Sequence, residues 1–415
     1  MVRMAERLAF GTSIADWQER IDVGRLRRER AEKARQVLHR HSVPAILAAR
    51  PENTRYLTGL RGPEFQPQLW YVLFFAEHEP VVFHHAGWVH HYPSQAPWIK
   101  HWRLARAWLS GGGGCGPEAA AEEARLFAGG IRDELHERGL AGEPLAVVGF
   151  DSLARQALAA RGIETVDGSP LMLEATKTKT VDEINCLKLA YAAGDAAWNK
   201  AWELLRPGTI DLEVSRQCMQ AAYAAGADEV PGCNFRSGPT TFDLAHERTG
   251  RILSFGDLAH GAFCGIGYLG YKTCYVRTFS IGQPPAQRAR EWYKSLVDRL
   301  DRVIDAIKPG ATTADAAQHF PPVSRWGYQD EAEVLGFEIG HGIGLHPYGY
   351  PVVNRQWSLD HPQPFEVGMT LAVEGREGEP GLGGVRLEDG VVVTENGAEL
   401  IDHWPRDEIL VAPWG

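Results

Sequence analysis

The sequence predicts an α+β chain of two domains: a smaller α/β domain over residues 1–177 and a larger domain with an approximate internal αβ repeat over residues 178–415. Three observations carry this expectation. The 415 residues, 44% of them apolar and 23% charged, are enough for two buried cores. From about residue 24 to about residue 165, helix-like and strand-like segments alternate, the pattern of a helix-covered sheet. Beyond that point Leu205-Arg206-Pro207-Gly208 recurs as Ile307-Lys308-Pro309-Gly310, about a hundred residues on, each time closing one long helical pattern and opening another.

In the first domain, Leu26–His41 reads as a basic amphipathic helix and Val43–Ala49 as a short apolar strand. Trp70–Phe75 and Pro80–His84 read as neighbouring strands. Gly111–Gly116 lacks the Lys-Ser/Thr ending of a phosphate cradle and reads as a loop. Glu118–Arg138 is a strong helix, Ala146–Phe150 a buried strand, and a helix follows to Ala160. The histidines His84, His85, His90 and His91 lack a second ligand cluster at diagnostic spacing and read as a solvated or interface loop. The second domain opens with Thr180 and Glu183, spaced as a capping box, before a helix to about Leu205. Each half then carries a glycine turn leading into a strand, at Gly256-Asp257 and at Gly368-Met369. Two such halves packed together place a site at their junction.

A net charge of −10 argues against nucleic acid or an anionic membrane as the main partner. No apolar run approaches the length of a spanning helix, and no signal peptide is evident. Six widely spaced cysteines without a CxxC pair fit a reducing, cytoplasmic setting. The expected partner is a small-molecule substrate.

The ordered motifs Asn53–Gly59, Ser237–Pro239, Gly256-Asp257, Arg277-Thr278-Phe279, Gly340–Gly344 and Gly384–Asp389 together resemble the creatinase, prolidase and aminopeptidase P family. The resemblance covers roughly residues 24–408. It implies a pita-bread catalytic domain, a creatinase-type N-terminal domain and a homodimer. It also implies a five-ligand site for two metal ions. His341, Glu374 and Glu388 match three of those ligands, but the strand that should supply two aspartates has none after Asp257. Counting back from Arg277 puts the missing carboxylates at Phe263 and Cys274; counting forward from Gly256 puts the first at Ala262, because one extra residue lies between the anchors. Two glutamates and a neutral imidazole are too few anions for a pair of divalent ions.

Three functions follow as alternatives. In the first, the resemblance to metal-independent creatinase makes the chain a hydrolase of a C–N bond in a small polar, cationic or zwitterionic substrate, with no cofactor. His246 is then the general base, a role suited to an imidazole. His341, Glu374 and Glu388 complete the catalytic set, the two carboxylates holding a cationic group. Arg61, His346, Tyr348 and Arg386 are the candidate substrate-binding residues. In the second, a metal-dependent enzyme keeps an altered ligand set, a single ion on Cys274, His341, Glu374 and Glu388, as an Xaa-Pro-type peptidase or a lyase like the DMSP lyases. His260 and Cys264 are expected on the same strand face as Ala262. In the third, the domain is a non-catalytic binding module. The tryptophan-rich stretch Trp88–Trp108 is the candidate interface surface.

Overall fold

The computed structural model describes residues 21–61, 69–85, 89–106, 108, 115–243, 249–334 and 338–412. The described residues divide into two compact units, one within residues 23–176 and the other within residues 177–412 together with 21–22.

The first unit is built on one mixed sheet, with strands β1 (Ala45–Ala49), β2 (Trp70–Phe75), β3 (Val81–His84), β4 (His101–Leu104), β5 (Leu145–Val148) and β6 (Thr165–Asp167) in the order β4-β3-β2-β1-β5-β6. Strands β1, β2 and β5 are buried at every position, as continuous apolar runs such as Trp70–Phe75 require. Helices α1 (Val23–Arg40), α2 (Pro51–Thr58), α3 (Gly116–Glu137), α4 (Ser152–Ala160) and α5 (Ser169–Thr176) accompany it, with a short helical turn at Tyr92–Gln95. The core under α3 and α4 gathers Phe127, Ile131, Leu135 and Leu158 against Leu47, Leu73 and Val147.

Two readings of this unit change. His84 is not on a solvated loop: it is fully buried at the end of β3, between the rings of Trp70 and Tyr92. Burial, and then His85, lowers its pKa to about 4, so it is a neutral core residue. Within the tryptophan-rich stretch, Trp98 donates to the Thr58 carbonyl and Trp108 to Asp151, which ties both rings inward. Trp88 and Gly111–Gly114 lie outside the described residues.

The second unit carries the larger sheet: β7 (Asn234–Ser237), β8 (Leu258–Ala262), β11 (Val276–Ile281), β12 (Ile339–Gly342), β13 (Gly349–Val353), β14 (Thr370–Glu379) and β15 (Gly383–Thr394), in the order β13-β12-β14-β15-β11-β8-β7. A small hairpin, β9 (Gly267–Tyr268) and β10 (Tyr271–Lys272), projects between β8 and β11, while β16 (Gly397–Leu400) and β17 (Leu410–Ala412) flank β15 and β11. Helix α6 (Val181–Leu204) opens where Glu183 accepts the Thr180 backbone N–H. The repeat is real in three dimensions. Arg206-Pro207-Gly208 separates α6 from α7 (Asp211–Ala224), and Lys308-Pro309-Gly310 separates α8 (Gln287–Ala306) from α9 (Thr313–Ala317). Gly208 and Gly310 both take φ near +87° (89° and 85°), the left-handed region that favours glycine at a helix exit.

Side-chain alternation along the central strands decides what faces where. Leu371, Val373, Val385, Leu387 and Val391 join Leu296, Leu300 and Val303 of α8 in one core. The intervening residues Ala372, Glu374, Arg386 and Glu388 therefore turn to the opposite face.

Candidate active site

The register of the sheet assembles the site. Glu374 of β14 pairs with Glu388 of β15, Glu388 with Val276 of β11, and Val276 with Ala262 of β8. Cross-strand partners project to the same side, so these four form one row across the sheet. Ala262 therefore occupies the place in that row where the resemblance implies a carboxylate. Phe263 points the other way, its ring 4.0 Å from that of Trp198 in the α6 core. The ambiguity left by the extra residue is thus resolved, and its cause is visible. Gly265 N–H donates to Thr273 O while Thr273 N–H donates to Ile266 O, so one residue opposes two. This β-bulge absorbs the extra residue beyond the site.

The same ladder brings two cysteines together. Phe263 N–H donates to Tyr275 O, and Gly265 N–H to Thr273 O, so Cys264 and Cys274 face each other between these bonds with sulfurs 2.6 Å apart. Cys274 is buried and Cys264 exposed. His260 does not join them: it lies within β8, with one ring nitrogen 3.0 Å from the Thr241 carbonyl. Burial, and then Arg386, lowers its pKa to about 3, which keeps the imidazole neutral.

Two groups of potential ligand atoms result, each lying within 4.8 Å of one another: Cys264, Cys274 and Glu388, and His341, Glu374 and Glu388. His341 Nε2 lies 3.5 Å from Glu388 Oε1. Its ring stacks on Tyr348 at 3.7 Å and 12°, and its Nδ1 is 3.4 Å from Gly342 O. That geometry favours the tautomer with the proton on Nδ1 and the Nε2 lone pair free. Glu374 is engaged on both sides. Tyr348 donates to Oε1 at 3.4 Å, and Arg386 is ion-paired with Oε2. Burial, and then the charge of Glu388, lifts the Glu374 carboxyl to about 7 against the pull of Arg386. The neighbouring Cys264 thiol, and then burial, push the Cys274 thiol well above its ordinary range. His341 Nε2 and both Glu388 oxygens have no hydrogen-bond partner, although both residues are at most 1% exposed.

Of the residues singled out in the sequence, the structure brings together His341, Tyr348, Glu374, Arg386, Glu388 and Cys274. His346 is half-buried between β12 and β13. Arg61 belongs to the first unit, where its carbonyl accepts from the Tyr92 hydroxyl. His246 lies outside the described residues. In the sequence Cys264 reads as a residue on the Ala262 face and, with Cys274, as a small core filler; Cys274 is buried but Cys264 is exposed.

A pair of hard divalent ions does not fit this arrangement. One of the two carboxylate positions is a methyl group, the other is a thiol, and Glu374 already carries Arg386. One soft ion does fit, because unpartnered nitrogen, carboxylate oxygen and sulfur converge on Glu388.

The chain belongs to metallopeptidase family M24, whose model matches residues 185–395. It is 31% identical over 281 residues to "Probable dipeptidase PepE" of Mycobacterium tuberculosis H37Rv, a match covering 66% of this chain and 72% of that protein. The crystal structure of dipeptidase PepE from Mycobacterium ulcerans superposes with a TM-score of 0.74 at 25% identity, over 95% of this chain and 100% of that one. The Xaa-Pro dipeptidase of Bacillus anthracis shares the fold, with a TM-score of 0.74 at 23% identity over 92% and 99% of the two chains.

These relatives overturn the expectation of a metal-independent, creatinase-like hydrolase. The family is one of metallopeptidases, and the similar proteins are named as dipeptidases. The geometry supplies a physical reason. Glu374 and Glu388 were expected to grip a cationic substrate group, but the protein's own Arg386 guanidinium is already on Glu374.

Proposed function

We propose that this chain is a hydrolase of short peptides, of the dipeptidase type, that depends on a divalent metal held by an altered ligand set. The observation that carries the reading is the buried, unpartnered convergence of His341 Nε2 and the Glu388 carboxylate beside two thiols, in a chain whose relatives are named as dipeptidases. A divalent ion held there supplies Lewis acidity toward a peptide carbonyl.

The chain's own residues do the rest. Glu388 and the cysteine pair would supply the ligand atoms. With Nδ1 turned to Gly342 O, His341 presents a lone pair at Nε2 that can take a proton from an attacking water and return it to the leaving amine. Tyr348 covers the imidazole face and limits access of water to it. Arg386 offsets the charge of Glu374, which leaves Glu388 as the carboxylate available to the ion.

The test is turnover of a panel of dipeptides, Xaa-Pro members included, with creatine as a control, before and after chelation. Cleavage that disappears on chelation and returns with added divalent metal is expected. Failure to cleave any dipeptide with zinc, cobalt or manganese supplied would sink the reading.

A further inference from the structure

The two groups that share Glu388 are not equivalent, and the difference assigns the ion's position. In the imidazole group, Glu374 has one oxygen on Tyr348 and the other on Arg386. Both of its oxygens are thus already engaged, and a cation there would approach the Arg386 guanidinium. In the thiol group, both Glu388 oxygens lack a hydrogen-bond partner among the described residues, the two sulfurs lie 2.6 Å apart, and Cys264 is exposed. A carboxylate buried to 1% exposure with neither oxygen satisfied is costly, and a bound cation removes that cost.

We propose that one thiophilic divalent ion of the zinc class is seated by Cys264, Cys274 and Glu388, with His341 beside it and Glu374 outside its ligand set. This rests on the metal-dependent reading above and deepens it. Two thiolates and a carboxylate favour a soft ion over the magnesium or manganese class. Binding displaces one proton from each thiol to solvent, leaving two thiolates and one carboxylate around a dication. The crowding by Cys264, Glu388 and Glu374 that disfavours the bare Cys274 thiolate becomes favourable once that charge is present. Three protein ligands leave a fourth position open, the arrangement of catalytic rather than structural zinc. The exposed side of Cys264 is where that position opens to solvent.

The experiment uses the full chain, purified under reducing conditions. Metal content is measured directly, and chelated protein is reloaded with cobalt alone and read by absorption. We expect one ion per chain and a near-ultraviolet thiolate-to-cobalt charge-transfer band. Cys264→Ser, a change at an exposed side chain, should abolish the band, or at least halve it, and lower zinc affinity on the order of 100-fold. Cys274→Ser should do the same, whereas Glu374→Gln should keep both band and stoichiometry. Cobalt bound without a thiolate band, loss of binding in Glu374→Gln but not in Cys264→Ser, or a Cys264–Cys274 disulfide that reductant and zinc together do not convert would each overturn the assignment. Dipeptide cleavage without the band leaves the peptidase reading standing and this site refuted. A band without cleavage of any dipeptide does the reverse.

Discussion

Glu374 and Glu388 are direct cross-strand partners, yet they have opposite fates: Glu374 is held by Arg386 and Tyr348, whereas neither Glu388 oxygen has a hydrogen-bond partner among the described residues. Two carboxylates side by side in a dry site cannot both be stable anions unless cations accompany them. The chain supplies one such cation itself, as Arg386, and the proposed ion would supply the other.

The first prediction concerns that internal cation. Arg386→Met leaves Glu374 buried without its guanidinium, a loss of about 3 kcal/mol for a broken buried pair. Adding Glu374→Gln to the same chain should recover much of it. Urea unfolding of the single and double variants measures both. A single-variant loss below about 1 kcal/mol, the level of an exposed pair, would show that Arg386 is not holding a buried charge.

The second concerns the floor beneath Cys274. A Cβ at Gly390 would collide with the Tyr191 hydroxyl, which donates to the Cys274 carbonyl at 3.0 Å. Gly390→Ala should cost about 1–3 kcal/mol through overpacking. Gly390→Ala combined with Tyr191→Leu, which removes the hydroxyl and the ring carbons that crowd the new Cβ, should be less destabilised than Gly390→Ala alone. Thermal unfolding of the two proteins decides it.

A third addresses pH. Glu338 is buried; burial lifts its carboxyl to about 7 against the pull of Arg299 and of the Arg376 N–H, and its Oε2 has no hydrogen-bond partner. The folded chain thus binds this proton more tightly than the unfolded chain, in which the carboxyl titrates near 4.5. Its contribution to stability is complete below 4.5 and is lost as pH rises through about 7. The whole effect amounts to about 3 kcal/mol at most. Glu338→Gln should flatten this part of the stability–pH curve; an unchanged slope in the variant would assign it to another group.

The fourth tests the ring over the imidazole. Tyr348→Phe keeps the stack on His341 and loses only the 3.4 Å contact to Glu374, so dipeptide kcat/KM should stay within about threefold. Tyr348→Ala removes the stack, worth about 1 kcal/mol, and should lower kcat/KM roughly fivefold. Equal losses in the two variants would move the role from the ring to the hydroxyl.

Much of the fold could be read from the sequence because its signals were local. The Pro-Gly exits at Gly208 and Gly310, the Thr180–Glu183 spacing and the apolar run Trp70–Phe75 each specify a nearby backbone geometry. His341, Glu374 and Glu388 were legible because each sits in a short glycine-flanked motif. What escaped depended on register. Whether Ala262 or Phe263 faces the site turns on where one extra residue is absorbed, and in a strand a one-residue shift reverses the face. The pairing of Arg386 with Glu374 needed the β14–β15 alignment, although the position of Arg386 two residues before Glu388 already put both on one face. The burial of His84 came from Trp70 and Tyr92, which flank it in space and not in sequence.

The bulge at Thr273 has a consequence for how such a site changes over time. Because the extra residue is taken up beyond Cys264 and Cys274, the ladder below it keeps its alignment, and Val276 still meets Glu388. Chain length at this loop is therefore decoupled from the row that carries Glu374 and Glu388. An insertion or deletion in the β9–β10 hairpin can reshape the loop while those two carboxylates keep their alignment.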